Sequence, residues 1–257
     1  MKALILAAGE GVRLRPYTLD RPKCMVELRE VPLLRRQLEV LRQNGICDIT
    51  ILTGYRAEHI ESLGYPTCRN ANYATTNMVA TLMCAREQFD GSDDVLILYG
   101  DIVYESFVLA TLCANQSELA TTVDRKWNRL WSLRNENPLD DAETLKVDSH
   151  GNITELGKKA TSYADIQAQF MGLIKVRSDF APRLMEIYDS LDPNELYEGR
   201  DIKNMYTTTF LQHVIDSGFP VRAVAVDGGW LEVDTVADLE LFNSLPLKTL
   251  NEICRLS

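Results

Sequence analysis

Leu6-Ala7-Ala8-Gly9-Glu10-Gly11-Val12-Arg13-Leu14-Arg15-Pro16-Tyr17-Thr18-Leu19-Asp20-Arg21-Pro22-Lys23 is the stretch on which the reading of this chain turns. It continues the apolar run Ala3-Leu4-Ile5-Leu6, which has the composition of a buried parallel strand. Small residues then let the backbone turn sharply and approach a ligand closely. Successive N–H groups in such a turn form a concavity for anions. Arg13 and Lys23 bring two cationic side chains to it. The expectation is a polyphosphate site cradled by Leu6, Ala7, Ala8, Gly9, Glu10 and Gly11. The third glycine of the dinucleotide fingerprint is missing, with Leu14 in its place, and so is the lysine–serine pair of a Walker loop. A plain strand-turn is the alternative reading.

Outward from this stretch the chain alternates. Apolar residues at helical spacing between Pro32 and Asn44 predict a helix stopped by Gly45. Ile49–Thr53 reads as a strand, Ala57–Leu63 as a short helix and Pro66–Arg69 as a third strand. After the polar segment Asn70–Asn77, Thr76 or Asn77 caps a helix reaching about Gln88. Val95–Tyr99 is a strongly apolar strand ending in Gly100-Asp101. Tyr104–Asn115 follows as a helix and Leu119–Asp124 as a strand. Such alternation predicts a doubly wound sheet, in which ligands lie beyond the carboxyl ends of strands. Asp101 is thereby placed beside the first loop.

The pattern then changes. Lys126–Asp141 is polar, with Trp127 and Trp131 embedded, and Glu143–Asp148 and Asn152–Leu156 read as a hairpin. Gln169–Val176 and Val221–Val226 are strands, and Asp179–Leu191 and Met205–Ser217 are helices. Asp234 or Thr235 caps a last long helix.

The sequence has 257 residues, 46% of them hydrophobic and 25% charged, with a formal net charge of −10. This suits one α/β domain, residues 1–257, in which 125–168 form an insertion on the acceptor side. The acidic balance argues against a nucleic-acid or membrane partner. Six cysteines without a C-x-x-C pair argue against zinc and fit a reducing cytoplasm. The chain enters its first strand directly after Met1-Lys2, so no signal peptide is expected.

The opening resembles the L-A-A-G-x-G-x-R-x-x-P-x-T-x-x-x-P-K of nucleotidyltransferases that join a nucleoside triphosphate to a phosphorylated small molecule. Every named position is present. The resemblance implies a Rossmann-like α/β fold, a doubly wound mixed sheet with a small β-rich acceptor-side insertion. Relatives carry a G-D after the central strand and an E-x-D before a late helix, and those aspartates bind magnesium. Here these are Gly100-Asp101 and Glu232-Val233-Asp234. Without the resemblance, Asp101 reads as a turn carboxylate and Asp234 as a helix cap. Lys23 is the family's Pro-Lys lysine. Lys158 stands where many relatives have Glu-Lys-Pro, whose lysine binds the acceptor phosphate. Gly157 and Lys159 replace its neighbours, which leaves Lys158 and Lys159 as alternatives.

Reaction at the α-phosphorus brings two anions together, so it needs positive charge, alignment and support for the leaving pyrophosphate. Magnesium held by one or two carboxylates plus phosphate oxygens is the usual agent. Selecting a base needs neutral polar groups, for which Asn72, Thr76 and Asn77 are candidates, with capping and turn chemistry as the other reading. Tyr55 either lines this pocket or fills core.

Further stretches sharpen the resemblance. Thr76-Asn77-Met78-Val79, Tyr99-Gly100-Asp101-Ile102-Val103-Tyr104, Glu155-Leu156-Gly157-Lys158-Lys159-Ala160 and Ala168-Gln169-Phe170-Met171-Gly172-Leu173 are similar to small cytidylyltransferases acting on phosphocholine, aminoethylphosphonate and like acceptors. Closest are the CTP:phosphoglutamine cytidylyltransferases of capsule phosphoramidate synthesis. This implies CTP and a small phosphorylated acceptor as partners, with CDP-L-glutamine and pyrophosphate as products. A zwitterionic acceptor needs carboxylates or an aromatic face for its ammonium and donors for its carboxylate. Trp127, Trp131, Arg134, Glu143, Lys146 and Glu232 are the candidates, the two tryptophans having packing as their alternative. A hexose-1-phosphate nucleotidyltransferase and a catalytically silent nucleotide sensor are the competing functions.

Overall fold

The computed structural model describes residues 1–256; Ser257, the last residue of the expected domain, lies outside them. The strands in chain order are β1 (Lys2–Ala7), β2 (Glu27–Leu28), β3 (Val31–Pro32), β4 (Asp48–Thr53), β5 (Thr67–Arg69), β6 (Val95–Tyr99) and β7 (Ile102–Tyr104). They continue as β8 (Leu119–Asp124), β9 (Glu143–Val147), β10 (Ile153–Lys159), β11 (Gln169–Val176), β12 (Arg222–Val226) and β13 (Trp230–Glu232). Seven form one sheet, ordered β12-β8-β11-β6-β1-β4-β5. Strands β5, β4, β1 and β6 are mutually parallel, as are β12 and β8, while β11 runs antiparallel to both β6 and β8. The sheet is therefore mixed, as expected. From β1 the chain moves outward to β4 and β5, then returns to the other side of β1 as β6. The reversal leaves a crevice beyond the carboxyl ends of β1 and β6.

The helices are α1 (Leu33–Gln43), α2 (Glu58–Glu61), α3 (Met78–Met83), α4 (Ser106–Ala114), α5 (Trp127–Arg134), α6 (Ala181–Asp189), α7 (Thr207–Asp216), α8 (Val236–Ser244) and α9 (Leu247–Asn251). Side chains alternate across the central strands. Ala3 and Ile5 of β1 and Leu96 and Leu98 of β6 face one apolar layer, shared with α1, α4 and α8. Leu4 of β1 and Val95 and Ile97 of β6 face the other, shared with α3, α6 and α7.

Three expectations shift. The helix anticipated to about Gln88 stops at Met83, and a separate 3-10 turn spans Arg86–Phe89. Its last bonds tighten to the i−3 pattern, as in Cys84 N–H to the Thr81 carbonyl at 3.1 Å. Tyr104 belongs to β7, and the helix begins at Ser106. The polar segment after Asp124 holds α5, whose buried residues Trp127, Leu130 and Trp131 lie at i, i+3 and i+4.

Candidate active site

The site is assembled by a short ladder away from the main sheet. Strands β7 and β13 pair antiparallel, with Ile102 opposite Glu232 and Tyr104 opposite Trp230. Asp101 precedes one strand and Asp234 follows the other, so antiparallel register puts both at the same end. The Val233 N–H donates to the Asp101 carbonyl at 3.1 Å and extends the ladder to that point. Helix α8 does not consume Asp234. Thr235 is its N-cap and forms a capping box with Asp238.

Lys23 lies between the two carboxylates, with Nζ 2.8 Å from Asp101 Oδ2 and 2.6 Å from Asp234 Oδ1. Arg13 Nη1 is 2.6 Å from Asp234 Oδ2. Burial works to lower the pKa of the Lys23 ammonium, but Asp101 and Asp234 outweigh it and hold the pKa above the ordinary lysine range. Asp101 Oδ1 is buried without a hydrogen-bond partner among the described residues. Two facing carboxylates and an unengaged buried oxygen fit a magnesium ion that completes its shell with substrate phosphates and water. Among the described residues no group of three or more His, Cys, Asp or Glu could hold a metal without such help.

A cavity of about 160 Å³ opens on one side of this cluster, walled by Leu6, Ala7, Ala8, Gly9, Lys23 and Asp101. Gly11 has φ +62°, and a Cβ there would fall 2.9 Å from the Lys23 Cβ, so the turn needs glycine. The backbone N–H groups of Gly9, Glu10 and Gly11 make no hydrogen bond among the described residues, as an anion cradle requires. Glu10 itself pairs with Arg15 at 3.0 Å and does not line the cavity. Thr76 and Asn77 line it; Asn72 does not. Asn77 caps α3 by accepting from the Met78 N–H at 2.9 Å. The Asn72 carbonyl accepts from the Thr76 hydroxyl at 2.9 Å. Asn70 organises this corner, donating at 2.9 Å to both Thr76 Oγ1 and Thr81 Oγ1. Tyr55 sits outside, its hydroxyl on the Thr18 and Leu19 carbonyls.

A second cavity, about 320 Å³, meets the first at Met78 and Tyr99 and reaches Arg13 and Asp234. Trp131, Trp230, Phe170 and Tyr206 give it aromatic walls, and Glu143 and Glu232 carboxylate ones. Burial pushes Glu143 up to about 7, with Glu232, Glu198 and Asp141 adding to the rise. Burial also pushes Glu232 upward, against the pull of Arg134 at 2.8 Å. Glu143 makes no ion pair among the described residues.

The other expected acceptor residues lie elsewhere. Arg134 is buried behind the wall, bridging Glu232 and Asp238, the latter at 2.9 Å. Trp127 is packed between Trp131 and Tyr163. Lys146 pairs with Glu155 at 3.0 Å and Asp165 at 3.3 Å. Lys158 pairs with Glu155 at 3.2 Å, while Lys159 donates to the Asp140 carbonyl at 2.6 Å. None of these lines either cavity. Gly157 has φ +83°, and a Cβ would fall 2.7 Å from the Thr208 Cβ, so a glutamate before Lys158 would not fit. Sequence reasoning missed Tyr73, Tyr99, Met78 and Gln169. Tyr99 ends β6, Met78 opens α3 and Gln169 opens β11, positions where such residues carry no chemical signal of their own, although the stretch around Gln169-Phe170-Met171-Gly172 was distinctive.

A family model described as the MobA-like NTP transferase domain matches residues 3–151. The CTP:phosphoglutamine cytidylyltransferase of Campylobacter jejuni subsp. jejuni serotype O:2 is 41% identical over 250 residues, covering 94% of this chain and 98% of that protein. The solved CTP:phosphocholine cytidylyltransferase of Streptococcus pneumoniae superposes with a TM-score of 0.68 at 20% identity, covering 94% of this chain and 97% of the other. For the inositol-1-phosphate CTP transferase of T. maritima the TM-score is 0.75 at 18% identity, with 99% and 95% covered. At these identities the two structures speak to the fold alone.

Proposed function

This chain belongs to the MobA-like NTP transferase family, and from that premise we propose that it is a CTP-dependent cytidylyltransferase acting on phosphorylated L-glutamine. The observation that carries this reading is the likeness to the Campylobacter jejuni enzyme over nearly the full length of both chains. The site supports it: two cavities, one beside the glycine turn and one lined by carboxylates and aromatic rings, flank the Lys23–Asp101–Asp234 cluster, the first reaching Lys23 and Asp101 and the second Asp234.

In the reaction an oxygen of the acceptor phosphate attacks the α-phosphorus of CTP. The bond from that phosphorus to the bridging β-phosphate oxygen breaks, giving CDP-L-glutamine and pyrophosphate. The turn at Ala7–Gly11 receives the triphosphate, and Arg13 and Lys23 offset its charge. Asp101 and Asp234 would hold a magnesium ion, which would supply Lewis-acid charge to the phosphates. Lys23 then transfers its ammonium from the two carboxylates to phosphate oxygens. Thr76 and Asn77 face the base, which needs a neutral polar partner. Glu143 and Glu232, with Trp131 and Trp230, face the acceptor's ammonium, and of residues 125–168 it is Trp131, Asp141 and Glu143 that line this cavity. The setting is a cytoplasm, with the product destined for capsule modification.

Mass spectrometry of products from each of the four triphosphates tests this reading. Magnesium would be present, with a panel of phosphoglutamine, phosphocholine, 2-aminoethylphosphonate and glucose 1-phosphate. CTP with phosphoglutamine is expected to give CDP-L-glutamine. Equal use of all four triphosphates would reject the base assignment, and preference for another acceptor would reject glutamine.

A further inference from the structure

Helix α1 buries two polar residues, Arg36 and Gln37, and Gln37 is the more deeply buried of the two. Leu33, Leu34, Leu38, Val40 and Leu41 pack into the core, and among them Gln37 is only 1% exposed. Burying an amide among aliphatic side chains is unfavourable unless hydrogen bonds compensate it. Gln37 Nε2 spends its hydrogens on a single turn, donating to the Tyr99 carbonyl at 2.9 Å and the Ile102 carbonyl at 2.7 Å. Those two carbonyls bracket Gly100-Asp101. The amide oxygen, Oε1, is buried with no partner among the described residues. Half of the group is thus left unsatisfied while the other half clamps the turn.

The same turn is held from its far side by the main chain. The Gly100 N–H donates to the Leu6 carbonyl at 3.0 Å, and a Cβ at Gly100 would fall 2.5 Å from that oxygen. The Asp101 side chain has little to orient it. Its Oδ2 is engaged only by Lys23, the group that must leave for phosphate, and its Oδ1 is unpartnered among the described residues. Its direction must therefore come from the backbone, which the Val233 N–H holds at the Asp101 carbonyl and the Leu6 carbonyl at the Gly100 N–H, and Gln37 is the side chain that clamps the turn on either side of them.

We propose that Gln37 is a positioning residue: its amide fixes the Gly100-Asp101 turn so that the Asp101 carboxylate faces Asp234 at a spacing fit for a divalent cation. This rests on the assignment of those two aspartates as cation ligands. A polar residue that merely bolts α1 to the sheet would affect stability. A positioning residue affects cation binding in protein that remains folded.

The experiment compares wild-type protein with Gln37→Met, which keeps length but has no donor, and Gln37→Glu, which keeps shape but replaces the donor amide with an oxygen. Thr122→Val, at a buried hydroxyl on β8 outside both cavities, is the control. Binding of CTP alone and of CTP with Mn²⁺ is measured without acceptor, the latter by water-proton relaxation. Thermal melts and hydrogen exchange at amides 100–102 are followed in metal-free protein. Both Gln37 variants are expected to melt cooperatively and bind CTP alone within twofold of wild type. Their Mn²⁺–CTP binding weakens at least tenfold, and their turn amides exchange at least tenfold faster. The control matches wild type throughout. Wild-type Mn²⁺–CTP binding in both folded variants overturns the role of Gln37, as does equal loss of CTP binding without metal, or a failure of both variants to fold. A wild-type protein whose CTP binding ignores Mn²⁺ instead overturns the ligand assignment, and this inference with it.

Discussion

Glu143 illustrates how much one side chain's surroundings decide. Its carboxyl faces the aromatic cavity without a cation among the described residues, and burial lifts it from an ordinary value of 4.5 to about 7. A bound ammonium favours the ionised form. Acceptor binding therefore releases a proton below about pH 7, and kcat/KM for an ammonium-bearing acceptor is expected to rise from pH 6 to pH 8. Glu143→Gln should flatten that rise and raise the acceptor KM about tenfold, equivalent to about 1.4 kcal/mol. The stability sign runs the other way. With its folded-state pKa raised, Glu143 favours the folded protein below its unfolded value, and that contribution is lost as pH rises through about 7. The melting temperature of Glu143→Gln relative to wild type should therefore climb from pH 5 to pH 8. Arg13, Lys23, Asp101 and Asp234 meet in the structure as the family resemblance implied, whereas the local sequence alone left Asp101 as a turn carboxylate and Asp234 as a helix cap. Lys146 and Lys158 do not join them. Register shifts in the β9–β10 hairpin, between Ile153 and Glu155 and again between Leu156 and Lys159, decide which way its side chains turn. Both lysines face Glu155.

The β7–β13 ladder was the feature hardest to see beforehand. Three-residue strands are too short to show a two-residue period, so Tyr104 read as the start of a helix and no strand was expected between Val226 and Asp234. The longer strands and α1 announced themselves through runs of Val, Ile and Leu. The capping box of α8 was half legible: Asp234 and Thr235 were equal candidates, and only the geometry separates them. Thr235 caps, accepting from the Asp238 N–H at 3.1 Å, while Asp238 Oδ2 accepts from the N–H groups of Thr235 and Asp234 at 2.9 and 3.1 Å. Arg134 holds the other oxygen of Asp238 at 2.9 Å. Thr235→Ala is expected to cost about 1 kcal/mol of stability. Because the same box fixes the main chain at Asp234, magnesium should saturate the variant's activity at higher concentration than wild type. A metal titration of rate beside a denaturant melt separates the two effects.

The central sheet brings together residues far apart along the chain, and Lys23 ties Asp101 to Asp234 across that distance. Either aspartate can be neutralised with Lys23 still paired to the other, so Asp101→Asn and Asp234→Asn should fold normally. Turnover in each should fall on the order of 10²–10³-fold. In wild type, CTP with magnesium should raise the melting temperature well beyond CTP alone, ligand at a hundred times its Kd adding about 2.7 kcal/mol. The increment from magnesium should vanish in both variants when followed by thermal-shift measurement. The doubly wound sheet was readable from the alternation of apolar strands and helical stretches. The antiparallel course of β11 was not, because a strand buried on both faces looks alike in either direction. The pairing of β7 with β13 has a consequence for synthesis. Translation makes the phosphate cradle and Asp101 well before their counterpart at Asp234. A polypeptide that stops short of Asp234 thus carries the cradle and one carboxylate but lacks the second, and it is expected to be inert.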